Sequence, residues 1–292
     1  MDIYSQTAFD SLPVDASGYR HLPAGDYSNL RVKSFGKVLA DGGCVFGDDC
    51  SFDSCSSFGI TVRFGARCRF GEYCRIDEGC TLGEHCTIGY ACYIRAYCHL
   101  GSYCIIGGMC TIGDYCWLGH SCQLGDIVSL GRGCRLGYGC HLGMHCSLNT
   151  DCRVGDHCSF EQCCRLQARC VLGDCCRLAS YCELGDGCDL GNGCVLGIKC
   201  KLGDECVLGE RCVMGAYCTI GSDCEISSSC VIAEPRLAAR RPDDDEDDDD
   251  EDDDDDDDDD EDDDDDDDDD EDDDDDDDDD EDDDDDDDDD DE

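Results

Sequence analysis

From Cys44 to Cys230 the chain repeats a six-residue phrase: an inward residue, a variable one, an aliphatic one, usually glycine, then two more variable positions. Stepping by six gives 32 positions, of which 29 are Cys and only Ser56, Val62 and Val128 depart. Two residues further on, from Phe46 to Ile232, all 32 positions are Leu, Ile, Val, Phe or Met, and the next is Gly in 23 of the 31 cases from Gly47 to Ser227. Repetition at a fixed period is read before any local propensity. Apolar residues two apart share one face of an extended segment and turn the residue between them outward, so each hexad predicts a short strand. The glycine predicts a corner with left-handed backbone, and Asp53, Asp77 and Asn149 suit that place because Asp and Asn tolerate such geometry best. A helix is excluded, since a six-residue step turns about 240° and would smear the cysteines over three stripes. Short strands joined by single corners coil into a parallel β-helix whose coils stack at about 4.8 Å.

The phrase C-x-L-G-x-x, clearest in GCTLGEHCTIGYACYIRAYCHLGSYCIIGGMCTIGDYCWLGHSC from Gly79 to Cys122, resembles the left-handed β-helix of hexapeptide-repeat proteins, with Cys at that family's small position. The resemblance implies three hexads per triangular coil of 18 residues and ten to eleven coils, a rod roughly 50 Å long at the strand spacing. It specifies architecture and no chemistry. Cys-rich hexads after a Phe-rich entry are also similar to uncharacterised bacteriophage repeat proteins, a similarity that assigns no residue a role.

Four segments follow. Residues 1–43 lack the repeat but carry Tyr4, Phe9, Leu12, Tyr19, Leu22, Tyr27, Leu30, Val32, Phe35, Val38 and Leu39; they read as a cap or attachment segment, since the end of a β-helix exposes core and unpaired backbone. The repeat over 44–233 opens with five aromatic core positions, Phe46, Phe52, Phe58, Phe64 and Phe70, on which the cap can pack. Residues 234–242, EPRLAARRP, form a Pro/Arg hinge. Asp243 to Glu292 is 50 consecutive acidic residues, a tail that cannot collapse and is expected to be disordered. That tail accounts for most of the formal charge of −56; without it 27 acidic residues face 21 basic ones.

Thirty-two cysteines suggest a disulfide scaffold only in a small secreted domain. With 18-residue coils they form three inward columns, and parallel Cα–Cβ vectors on adjacent rungs disfavour disulfide torsions. The expectation is reduced, buried filler thiols, with soft-metal storage as the sharper rival. No apolar run is long enough to span a membrane, and the start MDIYSQTAFDSLPV lacks the basic and apolar regions of a secretory signal. Cytosol, or a virion assembled there, is expected.

Candidate chemistry is sparse. Cys55, Cys163 and Cys175 are the out-of-register cysteines, and two of them fall three hexads after a histidine: His145 with Cys163, and His157 with Cys175. Such a pair at a corner is a candidate reactive thiol, because an adjacent imidazole lowers a thiol pKa. His120, His141 and His145 do not match the paired-His spacing of the zinc carbonic anhydrases of this fold, and read as solvated surface. One outward column reads His99, Trp117, Arg135, Arg153, an aromatic-to-basic ladder suited to a sugar, a phosphate or a partner. Val195, Val213 and Val231 form an apolar outward strip beside Val207, pointing to self-association as a trimer or end to end. Thr81, Thr87, Thr111 and Thr219 are too scattered for an ice-binding ladder.

The reading that results is a non-enzymatic structural or interaction protein, a rigid rod whose polyanionic tail binds basic proteins or cations. No catalytic residue, metal ligand or cofactor is expected beyond loose Ca²⁺ uptake by the tail, and direct nucleic-acid binding is disfavoured. Two rivals stand: a hexapeptide-family acyltransferase, and an acidic nucleic-acid mimic that sequesters a basic protein.

Overall fold

The computed structural model describes residues 5–30 and 34–233. The hinge over 234–242, the tail over 243–292, and Tyr4 and Val32 lie outside the described residues. A short helix, α1 (Gln6–Asp10), is followed by β1 (Tyr19–Leu22) and β2 (Lys37–Ala40), and then by 32 two-residue strands from β3 (Val45–Phe46) to β34 (Val231–Ile232). They form three parallel sheets of 12, 11 and 11 strands. Each strand of the hexads pairs with the strand three hexads away, as Tyr93 with Thr111 and His99 with Trp117. The protein is thus an all-β parallel solenoid with 18-residue coils.

The coil begins before the cysteines do. β1 pairs with β2 at the same offset of one coil, and β2 pairs with Ser57–Phe58. The segment read as a cap therefore adds two rungs to one sheet, giving about twelve turns where the hexads alone imply ten to eleven. Single bridges Asp26 to Val45 and Ser34 to Ser51 extend the other two sheets. Ser5 caps α1 through its hydroxyl, which accepts the Ala8 N–H at 3.2 Å. Phe9 of α1 is buried edge-on against Phe35 at 5.2 Å between centroids, and Arg20 lies 4.4 Å from its ring. Phe35 stacks on Phe52, and the Phe-rich entry continues with Phe46 on Phe64 and Phe52 on Phe70, each pair 5.2 to 5.3 Å apart. Aromatic pairs at these separations add to the stabilisation from burial alone.

Inside the rod the in-register cysteines and aliphatic residues are buried as far as Met214. The thiols are more than filler. Each in-register Cys from Cys68 onward donates its S–H to a carbonyl at the corner of the preceding coil: Cys80 to Gly59 at 3.2 Å, Cys134 to Gly113 at 3.1 Å, Cys212 to Gly191 at 3.2 Å. At three places the sulfur also accepts the N–H of the Cys one coil before, as from Cys74 to Cys92 at 3.3 Å. Ser56 keeps half of the pattern with oxygen, accepting the Val38 N–H one coil before at 3.1 Å, but it donates to the Asp53 carbonyl of its own coil at 2.7 Å. Val62 and Val128 are equally buried in the same register; packing is the primary requirement and the weak S–H bond an addition to it.

All 32 cysteines are free, and 26 are buried. Burial pushes the thiols of Cys44, Cys206 and Cys212 up to about 11, which keeps them protonated and unreactive at neutral pH. Native labelling with a thiol reagent is expected to modify Cys55 and Cys175 first, since these are exposed, then the half-exposed Cys163, Cys218, Cys224 and Cys230. The other 26 should react only on unfolding. A dozen labels in the native state, counted by mass spectrometry, would contradict this core.

The corner differs from the expected one. The left-handed residue is not the glycine after the aliphatic position but the residue just before each Cys. At every sixth position from Gly43 to Asp223 φ is positive, and most of these residues are not Gly, Tyr97, Arg67 and even Ile127 among them. The corner N–H explains why: it points along the rod and donates to a carbonyl of the following coil, as Tyr97 to Asp114 at 2.9 Å and Ile127 to Met144 at 2.8 Å. That bond offsets the roughly 1–2 kcal/mol cost of left-handed backbone. The glycine after the aliphatic residue answers a close approach instead. A Cβ at Gly101 would stand 2.6 Å from the Glu84 nitrogen and the Gly83 carbonyl carbon. Asp53, Asp77 and Asn149 accordingly have no positive φ.

A second corner device is hidden among the variable positions. The side chain following the glycine often accepts the backbone N–H of its counterpart on the next coil. The chain Asp156, Asp174, Asn192, Glu210 is linked this way at 2.8, 2.7 and 2.8 Å, which accounts for the recurring Gly-Asp dipeptides.

Candidate functional site

His99, Trp117, Arg135 and Arg153 occupy successive rungs of one sheet, with their side chains turned outward. The alternation that buries Leu100, Leu118, Leu136 and Val154 puts them there. At about 4.8 Å per rung, the two guanidiniums are rooted about 5 and 10 Å along the axis from Trp117. The His99 and Trp117 rings lie 5.6 Å apart at 51°, and half of Trp117 is exposed.

The adjoining corner contributes what the column alone did not reveal. Tyr97 and Tyr115, both in left-handed backbone, stack at 5.5 Å and 12°. The Tyr115 ring extends over Gly133, where a Cβ would come within 2.7 Å of two ring carbons. Gly133 thus leaves the room that the Tyr115 ring occupies. A depression of about 190 Å³ opens between His99, Tyr115, Trp117, Gly133 and Arg135. It adjoins another of about 240 Å³ that shares Tyr115, Gly133 and Arg135 and reaches Arg132, Asp151 and Arg153. Together they form a shallow trough, aromatic at one end and basic at the other.

The charges in this trough are unequally engaged. Asp151 binds Arg132 at 2.9 Å and Arg169 at 2.7 Å, and the hydrogen bond from Arg169, followed by that from Arg132, holds its carboxyl down to about 2. Among the described residues Arg135 and Arg153 have no ion-pair partner. A larger depression, about 420 Å³, lies elsewhere, over Arg165, Glu183 and Lys201. There Glu183 meets both cations at 3.1 Å, so each of them already has a carboxylate partner.

The other candidates are placed as follows. His145 and Cys163, and His157 and Cys175, sit at left-handed corners on successive coils. Among the described residues no hydrogen bond or ion pair joins either pair, and His157 packs instead against Tyr138 at 5.1 Å. His120 accepts the Tyr138 N–H through Nδ1 at 2.9 Å, whereas His141 meets the Ser159 hydroxyl at 2.7 Å and lies 3.7 Å from Glu161. Among the described residues no three His, Cys, Asp or Glu side chains converge as a metal site requires, and no helix is long and apolar enough to cross a membrane. Val195, Val213 and Val231 stack on one sheet, all exposed, with Val207 exposed on another.

No protein-family model matches the chain, and no curated protein matches it. Among solved structures, the crystal structure of a TibC-catalyzed hyper-glycosylated TibA fragment aligns with 8% identity over 75% of this chain and 96% of its own, at a TM-score of 0.20. A likeness that slight bears on neither fold nor function.

Proposed function

We propose that this is a non-enzymatic structural or interaction protein, a rigid rod that presents a polyanionic segment to basic partners or cations. The observation that supports it is the unbroken coil register, which runs from β3 to β34. No loop leaves the described coils to enclose a substrate, and strands paired on both sides resist bending. Asp243 to Glu292 then supplies 50 negative charges in one run, enough to hold a basic protein by Coulomb attraction without a shaped pocket. We also infer, from the hexad pattern, that the coil is left-handed as in the hexapeptide-repeat proteins it resembles; an experimental map that traced a right-handed coil would refute this.

The test is a pull-down of basic proteins with the full chain, with a chain ending at Pro242, and with a chain whose Asp and Glu order beyond 242 is scrambled. Capture should vanish with truncation and survive scrambling. It should also fall steeply with salt, because screening shortens the reach of exposed charges from about 8 Å at physiological ionic strength to about 3 Å at 1 M. Capture that is indifferent to salt, or kept by the truncated chain, would refute the reading.

A further inference from the structure

The trough beside Trp117 bears on a ligand different from any partner of the acidic segment. Its aromatic end offers the exposed indole of Trp117, a surface on which a flat ring stacks, next to a Tyr115 ring that Tyr97 and Gly133 hold in place. Its basic end offers Arg135 and Arg153, guanidiniums that no carboxylate in the described residues neutralises. A planar ring joined to an anionic group about 5 to 10 Å away matches that layout, given the rung spacing. What the trough lacks narrows the class further. Recognition of sugar hydroxyls calls for acceptors as well as donors, and the one carboxylate lining these depressions, Asp151, is consumed by Arg132 and Arg169. Arg and Trp donate and do not accept, which leaves few acceptors among the lining side chains besides the Tyr115 hydroxyl. A phosphate, which needs only donors, is well served by paired guanidiniums.

We propose that the trough formed by Tyr115, Trp117, Gly133, Arg135 and Arg153 is a binding site for a free nucleoside phosphate, its base stacked on Trp117 and its phosphates held by the two arginines. Base stacking on an aromatic side chain and phosphate contacts from arginine are the two elements by which proteins hold unpaired nucleotides without reading sequence. A long nucleic acid is disfavoured, because the chain's own 50 acidic residues repel a polyanion far more than a mononucleotide.

The experiment is calorimetric titration of the full-length protein at low salt with ADP, adenosine, pyrophosphate and a single-stranded oligonucleotide. ADP should bind more tightly than adenosine or pyrophosphate by about tenfold or more, since each of those engages one end of the trough only. Trp117→Ala should weaken ADP by about tenfold or more and leave pyrophosphate unchanged. Arg135→Gln combined with Arg153→Gln should weaken both. All three side chains are exposed, so the thermal melt should not move, and an altered melt would be met by repeating the titration with Trp117→Phe, which should retain ADP binding. No ADP binding at about millimolar concentration, adenosine binding as tightly as ADP, ADP affinity unmoved by Trp117→Ala, or an oligonucleotide binding more tightly than ADP would each overturn the proposal. None of these outcomes depends on residues 243–292 capturing a basic protein.

Discussion

Cys122→Arg should abolish the native fold, while Gln123→Arg, one residue on, should leave it intact. Cys122 is fully buried and donates its S–H to the Gly101 carbonyl at 3.4 Å. Gln123 lies outward between Ile105 and His141 on a sheet face. A guanidinium at 122 would be buried with no carboxylate to meet it, and an uncompensated buried charge costs about 3–5 kcal/mol, comparable with the whole stability of many domains. The volume problem adds to the charge, because inward columns packed rung upon rung have no space into which an Arg can relax. At 123 the same side chain extends into water, and surface changes of this kind usually stay within about 0.5 kcal/mol. Circular dichroism melts of the two variants would decide it. Equal tolerance would mean that the inward register has been assigned to the wrong residues.

This contrast was legible in the sequence because the six-residue period fixes which side chains face inward without any knowledge of the coil path. The alternation that buries Leu118 and exposes Trp117 follows from strand geometry alone, and so did the ladder of His99, Trp117, Arg135 and Arg153. The hydrogen-bonding environment of the backbone was not legible. Tyr97, Ile127 and Arg67 are poor choices for left-handed geometry on local grounds, and they adopt it because each N–H finds a carbonyl on the next coil. That is a tertiary contact overriding local preference, and no single hexad contains it. For the same reason the Tyr115 ring over Gly133 could not be foreseen, since the two residues stand a full coil apart and fall in different hexads. The two N-terminal rungs were hidden because β1 and β2 keep the coil length without the cysteines that mark it elsewhere.

The two kinds of glycine in the hexads should lose different amounts of stability to an added methyl group. Gly71 sits after the aliphatic-position Phe70, where an added Cβ would run into the Ser54 nitrogen and stand 2.7 Å from the Ser54 Cα. Both are backbone atoms of the neighbouring coil, so Gly71→Ala must push two coils apart. Eight natural hexads carry another residue at this position, Arg95 and Glu161 among them, which shows that the coils can yield locally at some expense. Overpacking of this kind costs about 1–3 kcal/mol, and the short contact at Gly71 argues for the upper end. Gly139 stands before Cys140 with φ +67°, and its added Cβ would meet nothing nearer than the Ser121 hydroxyl at 3.6 Å. There Ala must accept left-handed backbone at roughly 1–2 kcal/mol, partly offset by about 0.4–1 kcal/mol from a less flexible unfolded chain. Ala91 already does so at the equivalent corner, with φ 52°. Gly139→Ala should therefore lose at most about 1.5 kcal/mol in urea unfolding, and Gly71→Ala about 3 kcal/mol. The reverse order would show that conformational freedom after the aliphatic position, and not the close approach of neighbouring coils, is what glycine provides there.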